Sequence, residues 1–289
     1  MEEYINVNKV RRAFSGATSH YDSHAELQRE IGQRLVDHLN FTKIEPKSIL
    51  DIGCGTGFFT RLLAEKYKKA DIYAADLSES MVNHTRSMQE RRWPWQGKYQ
   101  HTVCDAVALP FRDNTFDLVA SNLAMQWVPA PSAMMKEMRR VLAPGGLILF
   151  STFGRRTLVE LKQTLAHINI DHTNSVLPFP DVMSLGNSLG ETAVEAPVTD
   201  ADIFTLTYPD TMSLVRELKG IGASAAAIQG RGGGLYGRAL LRNIETHYKK
   251  HYADSDGRIH ATFEALYAQA WYKEPGYAER DNTIPIQLI

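Results

Sequence analysis

The chain has 289 residues, 44% hydrophobic and 22% charged, with a formal net charge of −1. This is the composition of a globular chain with a proper core, long enough for one large α/β domain with insertions, and it carries no overall field to draw in nucleic acid or a membrane surface. Its two cysteines, Cys54 and Cys104, form no CxxC pair or Cys/His cluster, which excludes a disulfide framework and a cysteine-rich metal site.

The opening run MEEYINVNKVRRAF is polar and charged, without the apolar region of a secretory signal. No stretch approaches the roughly 18 apolar residues that a membrane span needs, so the expected compartment is the cytoplasm. From Ala25 to Leu39, Leu27, Ile31, Leu35 and Leu39 recur every four residues, one face of an amphipathic helix. Residues 1–45 are expected to form an N-terminal helical lid. Tyr21 stands in the polar segment just ahead of that helix, either closing over a ligand and orienting an acceptor or simply packing on the helix.

Between Ser48 and Phe153 short apolar runs alternate with helix-like segments: Ser48–Ile52, Asp71–Ala75, Tyr99–Cys104, Phe116–Ser121 and Leu147–Thr152. Runs this short and apolar on both faces fit parallel strands covered by helices, and the alternation predicts a doubly wound, mostly parallel α/β sheet with its core in residues 46–153. Pro144-Gly145-Gly146 is expected to be a turn that stops a helix and launches the fifth strand. In residues 154–289, Ile203–Tyr208 and Ala261–Trp271 read as strands, and Thr211–Ile221 and Leu235–His251 as helices. That makes seven strands, with a helical cap at about 211–252 inserted before the last, in one domain over residues 1–289. Gln229–Leu235 is too glycine-rich for a regular element and reads as a loop. His101 and His167 lack companions at metal-ligand spacing and read as structural, so no metal is expected.

The strongest local signal is Asp51-Ile52-Gly53-Cys54-Gly55-Thr56-Gly57, after an apolar strand and before the helix-forming run Phe58–Tyr67. Glycines there let the backbone turn tightly and let a ligand approach with no Cβ in the way. Asp76 ends the second strand, where an acid can accept bonds from ribose hydroxyls, and Asp105-Ala106 ends the third. Residues alone leave a nucleotide-binding or a purely structural glycine turn open. The GxGxG spacing, with an acid two residues before it, resembles the class I S-adenosylmethionine (SAM)-dependent methyltransferases and differs from the GxGxxG of nicotinamide-binding domains. The resemblance implies SAM as cofactor and S-adenosylhomocysteine as product. It assigns Asp51, Gly53, Cys54, Gly55 and Gly57 to the methionine part, Asp76 to the ribose and Asp105 with Ala106 to the adenine amino group. Leu77, Ser78 and Met81 then line the adenosine pocket, and Asn122 to Trp127 form the site loop after the fourth strand. Cys54 is given no chemistry; a small side chain suits that position.

Further motifs run nearly end to end: Phe14-Ser-Gly-Ala-Thr-Ser-His-Tyr21-Asp22 with Ala25-Glu-Leu-Gln28, Asn122-Leu-Ala-Met-Gln-Trp127, Phe153-Gly154 with Thr157-Leu158 and Glu160-Leu161, Leu218-Lys219 with Ile221-Gly222-Ala223, Leu235-Tyr-Gly-Arg238 and Tyr267-Ala-Gln-Ala-Trp271. In this order they resemble the malonyl-acyl-carrier-protein O-methyltransferases of biotin synthesis. That resemblance implies methylation of the free carboxylate of malonyl-acyl carrier protein, or of malonyl-coenzyme A. The ester hides the charge, so that fatty-acid elongation accepts a chain destined to become pimeloyl. Candidate acceptor-side residues are Tyr21, Gln126, Trp127, Arg155 and Arg231, although Trp127 also reads as a pocket wall, Arg155-Arg156 as a solvated basic turn and Arg231 as part of a surface loop. Arg155-Arg156 is also more basic than the family pattern after Gly154. The implied partner is acyl carrier protein, with no nucleic acid and no membrane; Arg155, Arg156, Arg231, Arg238 and Arg242 are the candidate docking cations. Two rival readings keep the cofactor: a methyltransferase of a small metabolite, such as a quinone precursor or a free dicarboxylic acid, and a SAM-binding regulatory protein without turnover.

Overall fold

Five apolar runs alternating with helices assemble into the parallel part of a seven-stranded sheet in the computed structural model, which describes residues 5–88, 95–168, 179–192, 194–221 and 235–272, the side chains of 235–240 aside. The parallel strands are β1 (Ser48–Ile52), β2 (Asp71–Asp76), β3 (Tyr99–Val103), β4 (Phe116–Asn122) and β5 (Leu142–Phe153). β6 (Glu195–Tyr208) and β7 (Ile259–Trp271) extend the sheet, β7 running antiparallel to both its neighbours, in the order β3-β2-β1-β4-β5-β7-β6.

Strand periodicity splits the core between two faces. Ile49, Leu118, Ala120, Leu147 and Leu149 pack under α3 (Glu26–His38), α4 (Phe58–Lys66), α7 (Val159–His167), α9 (Thr211–Gly220) and α10 (Leu235–Tyr252). The alternate residues Leu50, Ile52, Val119, Ile148 and Phe150 pack under α6 (Pro131–Val141) and α8 (Val182–Gly190). Leu27, Ile31 and Leu35 of α3 are buried, the face that their spacing selects. α9 and α10 lie between β6 and β7 in the chain. Three further helices matter below: α1 (Val7–Ala17), whose N-terminus is capped by the Asn6 side-chain Oδ1 accepting from Lys9 N, α2 (Tyr21–His24) and α5 (Glu79–Ser87).

Three differences from the sequence expectations have physical causes. β5 begins at Leu142, so Pro144-Gly145-Gly146 is an irregularity inside the strand and not a turn before it. Register with β4 jumps from Phe116↔Leu142 to Leu118↔Leu147, Gly145 takes φ +78, and Gly145 N and Gly146 O bond Tyr272 across the sheet. β6 begins at Glu195, eight residues before Ile203, through a polar stretch containing Pro197; it is the outermost strand, where one flank needs no partner and proline is tolerated. Helices α7 and α8 had no counterpart among the expectations. The Gln229–Leu235 loop lies outside the described residues except for Leu235, and the side chain of Arg238 is also outside them. Among the described residues, no helix is long and apolar enough to cross a membrane.

Candidate active site

The sheet order reverses between β1 and β4, and the crevice beyond the carboxyl ends of such strands is where doubly wound folds bind ligands. The chain leaving β1 is caught there at once: Gly53 N and Cys54 N both donate to Ala75 O, at 2.7 and 3.0 Å. This bends the backbone through left-handed conformations at Gly53 (φ +75), Gly55 (φ +54) and Gly57 (φ +82) before α4 begins. The three glycines serve different ends. A Cβ on Gly53 would stand 2.3 Å from the Ala124 Cβ, and one on Gly57 would stand 2.7 Å from Thr85, whereas one on Gly55 would meet nothing within 4 Å. Gly53 and Gly57 permit close packing; Gly55 borders the open cleft. Gly53→Ala is therefore expected to destabilise by about 2–4 kcal/mol, combining left-handed strain with overpacking, read as a lowered denaturant midpoint. Adding Ala124→Gly should recover part of the loss.

Asp76 ends β2 on the far side of the loop. Its Oδ2 accepts from Gly55 N at 3.0 Å and its Oδ1 from Ser78 N at 2.8 Å. Burial raises its pKa, while backbone N–H groups of Ser78, Gly55 and Leu77 oppose the rise. Each carboxylate oxygen retains a lone pair after these bonds, so the side chain is fixed yet still able to accept twice from a ligand in the cleft. Asp105 follows β3, its Oδ1 accepting from Val107 N at 3.1 Å. The loop beyond is braced by Arg140, which donates to the carbonyls of Leu109 and Phe111, and by Glu137, which accepts from Leu109 N. Asn122 joins three elements: its amide donates to Gln28 O of α3, and its oxygen accepts from the Ser151 hydroxyl of β5.

α1 and α2 cover this crevice. Phe14 meets Trp127 edge-on at 5.3 Å between ring centroids and Tyr21 at 6.4 Å. Hydroxyl pairs hold α1 against the start of α5: Ser15 with Ser78 at 2.9 Å and Thr18 with Ser80 at 3.0 Å. Thr56 of the glycine loop donates to Asp22 of α2 at 2.6 Å. The resulting cleft has a volume of about 780 Å³ including its open mouth, within the usual range of small-molecule sites.

Of the sequence candidates, Tyr21, Gly53, Gly55, Asp76, Leu77, Asp105, Ala106, Asn122 and Trp127 line the cleft. Asp51, Cys54, Gly57 and Met81 stand behind it. Met81 is wholly buried, and the buried Cys54 thiol, its pKa pushed up by burial and by Asp76 and Asp51, donates to the Thr85 hydroxyl. Gln126 turns away from the cleft: its amide donates to Leu123 O, its oxygen accepts from Thr152, and it lines a neighbouring groove between the 3-10 turn Met125–Trp127, α6 and α8. Arg155 lies outside both cavities, its side chain 70% exposed and 3.4 Å from Asp181. Arg231 is outside the described residues. The described lining of the cleft contains no lysine or arginine. Val7, Val10 and Phe14 also line it; their i, i+3, i+7 spacing was the signal by which sequence reasoning could have found them. His101 is half-buried, stacked on Tyr99, with its pKa lowered by burial and then by Arg86. His167 stacks on His247 at 4.2 Å, and among the described residues no group of three or more His, Cys, Asp or Glu could hold a metal.

Asp51 supplies a further test of what fits. Thr60 donates to its Oδ2 at 2.5 Å, but its Oδ1 is buried beneath the glycine loop without a partner. Burial pushes its pKa up to about 7, against the Thr60 bond and assisted by the charge of Asp76. A ligand that brings an ammonium to the loop, ribose hydroxyls to Asp76 and a flat amine-bearing ring toward Asp105 matches these acceptors, and SAM has all three.

Residues 50–150 match the family described as a methyltransferase domain. The chain is 39% identical over 279 residues to a malonyl-[acyl-carrier protein] O-methyltransferase of Halorhodospira halophila, covering 96% of this chain and 92% of the relative. A protein of the same name from a Methylovorus species is 37% identical over 288 residues, covering 98% and 95%. Among solved structures, the YcgJ protein of Bacillus subtilis aligns with TM-score 0.58 at 16% identity, covering 84% of this chain and 99% of that one. A SAM-dependent methyltransferase of Thermotoga maritima aligns with TM-score 0.51 at 15% identity, covering 91% and 99%. These two establish likeness of fold.

Proposed function

Because the chain belongs to the malonyl-[acyl-carrier protein] O-methyltransferase family, we propose that it methylates the free carboxylate of a malonyl group held on acyl carrier protein. The observation that carries the reading is the pair of acceptors Asp76 and Asp105 in the cleft, with the buried Asp51 behind its glycine loop and aromatic rings roofing it. SAM, when bound, would supply a sulfonium-activated methyl group, transferred in line to the carboxylate oxygen with the thioether S-adenosylhomocysteine as leaving group.

The chain's own residues have little proton transfer to perform. A malonyl carboxylate, with an ordinary pKa of about 4, is already ionised at neutral pH. Alignment of the reacting atoms and exclusion of water remain to be supplied. Phe14, Tyr21 and Trp127 form the apolar roof that keeps water out, so α1 and α2 act as the lid. Burial, and then the charges of Asp76 and Asp22, raise the Tyr21 pKa. The phenol therefore keeps its proton and can donate one hydrogen bond to a carboxylate oxygen. A single donor leaves the second oxygen free to attack, whereas a two-point clamp would hold the ground state as firmly as the transition state. Esterification removes the charge of the malonyl end, which suits a product passed to fatty-acid elongation on the way to pimeloyl and biotin.

The test is transfer of label from SAM to malonyl-acyl carrier protein, with acetyl-acyl carrier protein as control. Base-labile label on the malonyl form alone is the expected result. No label on either, from a protein that still binds SAM, overturns the acceptor assignment and turns the search to small carboxylic acids.

A further inference from the structure

The groove into which Gln126 turns is a second cavity of about 1200 Å³ including its mouth, floored by Met125, Gln126 and Thr152 and walled by Met135 of α6 and Leu185 of α8. It shares Val128 and Pro129 with the cofactor cleft. The 3-10 turn thus partitions the two spaces, Trp127 facing the cofactor side and Gln126 the other. Another cavity, between α3 and β6, shares no described residue with the cofactor cleft.

Resting on the reading that the acceptor is a carrier-bound malonyl group, we infer that this groove receives the phosphopantetheine arm to which the malonyl group is attached. An acceptor on a tether must thread its tip to the cofactor while the tether trails to the surface, so its channel has to open into the cofactor cleft and also reach solvent. This groove borders the cleft at Val128 and Pro129, which line both and past which the arm would run, and it reaches solvent beside exposed Ser132 of α6 and half-buried Ser188 of α8. Its chemistry also suits the arm, which consists of alkyl segments joined by amides. The methionine and leucine walls take the alkyl segments. Gln126 has spent one of its two N–H groups on Leu123 O and one lone pair on Thr152, leaving one donor and one acceptor for an amide. Among the described residues no cation lines the groove, which suits passing segments that are neutral.

Coenzyme A and carrier protein present acyl groups on the same arm, and this gives the test. Ser188→Trp and Ser132→Trp, each placing a large side chain on the rim, are assayed with malonyl-acyl carrier protein as substrate and with malonyl-coenzyme A as substrate or competing ligand. The expected result is at least a tenfold rise in KM for the carrier protein and a parallel loss of affinity for the coenzyme A thioester, with S-adenosylhomocysteine affinity changed less than twofold in both variants. Wild-type kinetics in both variants overturn the assignment. So does a loss confined to carrier protein, which would make the rim a protein-docking surface, or a fall in S-adenosylhomocysteine affinity in step with KM. If the wild-type protein transfers no methyl group to malonyl-acyl carrier protein, the acceptor reading itself fails, and this inference fails with it.

Discussion

Asp76→Asn is expected to weaken binding of S-adenosylhomocysteine by at least about 100-fold, measured by titration calorimetry. The carboxylate is held between Gly55 N and Ser78 N with one lone pair left on each oxygen. Two charge-assisted bonds to ribose hydroxyls would contribute about 1.5–3 kcal/mol each, and losing them corresponds to two or more orders of magnitude in affinity. An amide can accept through its oxygen alone, so it must also turn an NH2 toward one of the two backbone donors, which disturbs the glycine loop. Thermal unfolding of the unliganded variant measures that disturbance separately. An affinity within tenfold of the wild type would remove Asp76 from the ribose site.

The second large effect is a pH dependence centred on Asp51. Its pKa of about 7 in the folded chain exceeds the value near 4 of an unfolded aspartate, so the folded state holds a proton that the unfolded chain releases earlier. The associated stability is fully present below about pH 4, falls as pH rises, and is lost above about pH 7, on the order of 4 kcal/mol at most. Asp51→Asn removes this component. The unfolding free energy of the variant minus that of the wild type should therefore increase from pH 4 to 7 and then level, the other titrating groups cancelling in the difference. A flat difference would mean that Asp51 is already ionised in the unliganded fold. An ammonium seated on the glycine loop in front of Asp51 would favour the charged carboxylate, so wild-type affinity for S-adenosylhomocysteine should tighten across the same window while that of the variant changes little.

The strand-end part of the cleft was legible in the sequence because it is local. Asp51 to Gly57, Asp76 and Asp105 each follow a short apolar run, and once such runs are parallel strands their ends share one edge. The regular spacing of Leu27, Ile31 and Leu35 located α3 for the same reason. What escaped depends on partners distant in the chain. The start of β6 is polar because an outermost strand needs an apolar contact on few of its residues, so composition hid it. The Pro-Gly-Gly triplet carries the local signature of a turn, but Tyr272 from the far end of β7 pairs with Gly145 and Gly146 and keeps the segment in the sheet. Gln126 and Trp127 are adjacent in sequence and were grouped together; the tight 3-10 turn sends them into different cavities. The proposed acceptor side draws on such irregular pieces, and no spacing rule reaches across them.

The first helix has a further consequence. Ile5, just ahead of α1, touches the groove beside α8, while Val7, Val10 and Phe14 of the same short segment roof the cofactor cleft. A segment this short moves as one piece, so the two chambers share a door. Lifting it would therefore open the cleft and also remove Ile5 from the wall of the neighbouring chamber. On the proposed assignment of the two cavities, such a movement would couple the places of methyl donor and acceptor, since both would open on this side together. The polar fastenings of α1 are neutral hydroxyl pairs, Ser15–Ser78 and Thr18–Ser80, each worth only about 0.5–1.5 kcal/mol, beside the aromatic contacts of Phe14.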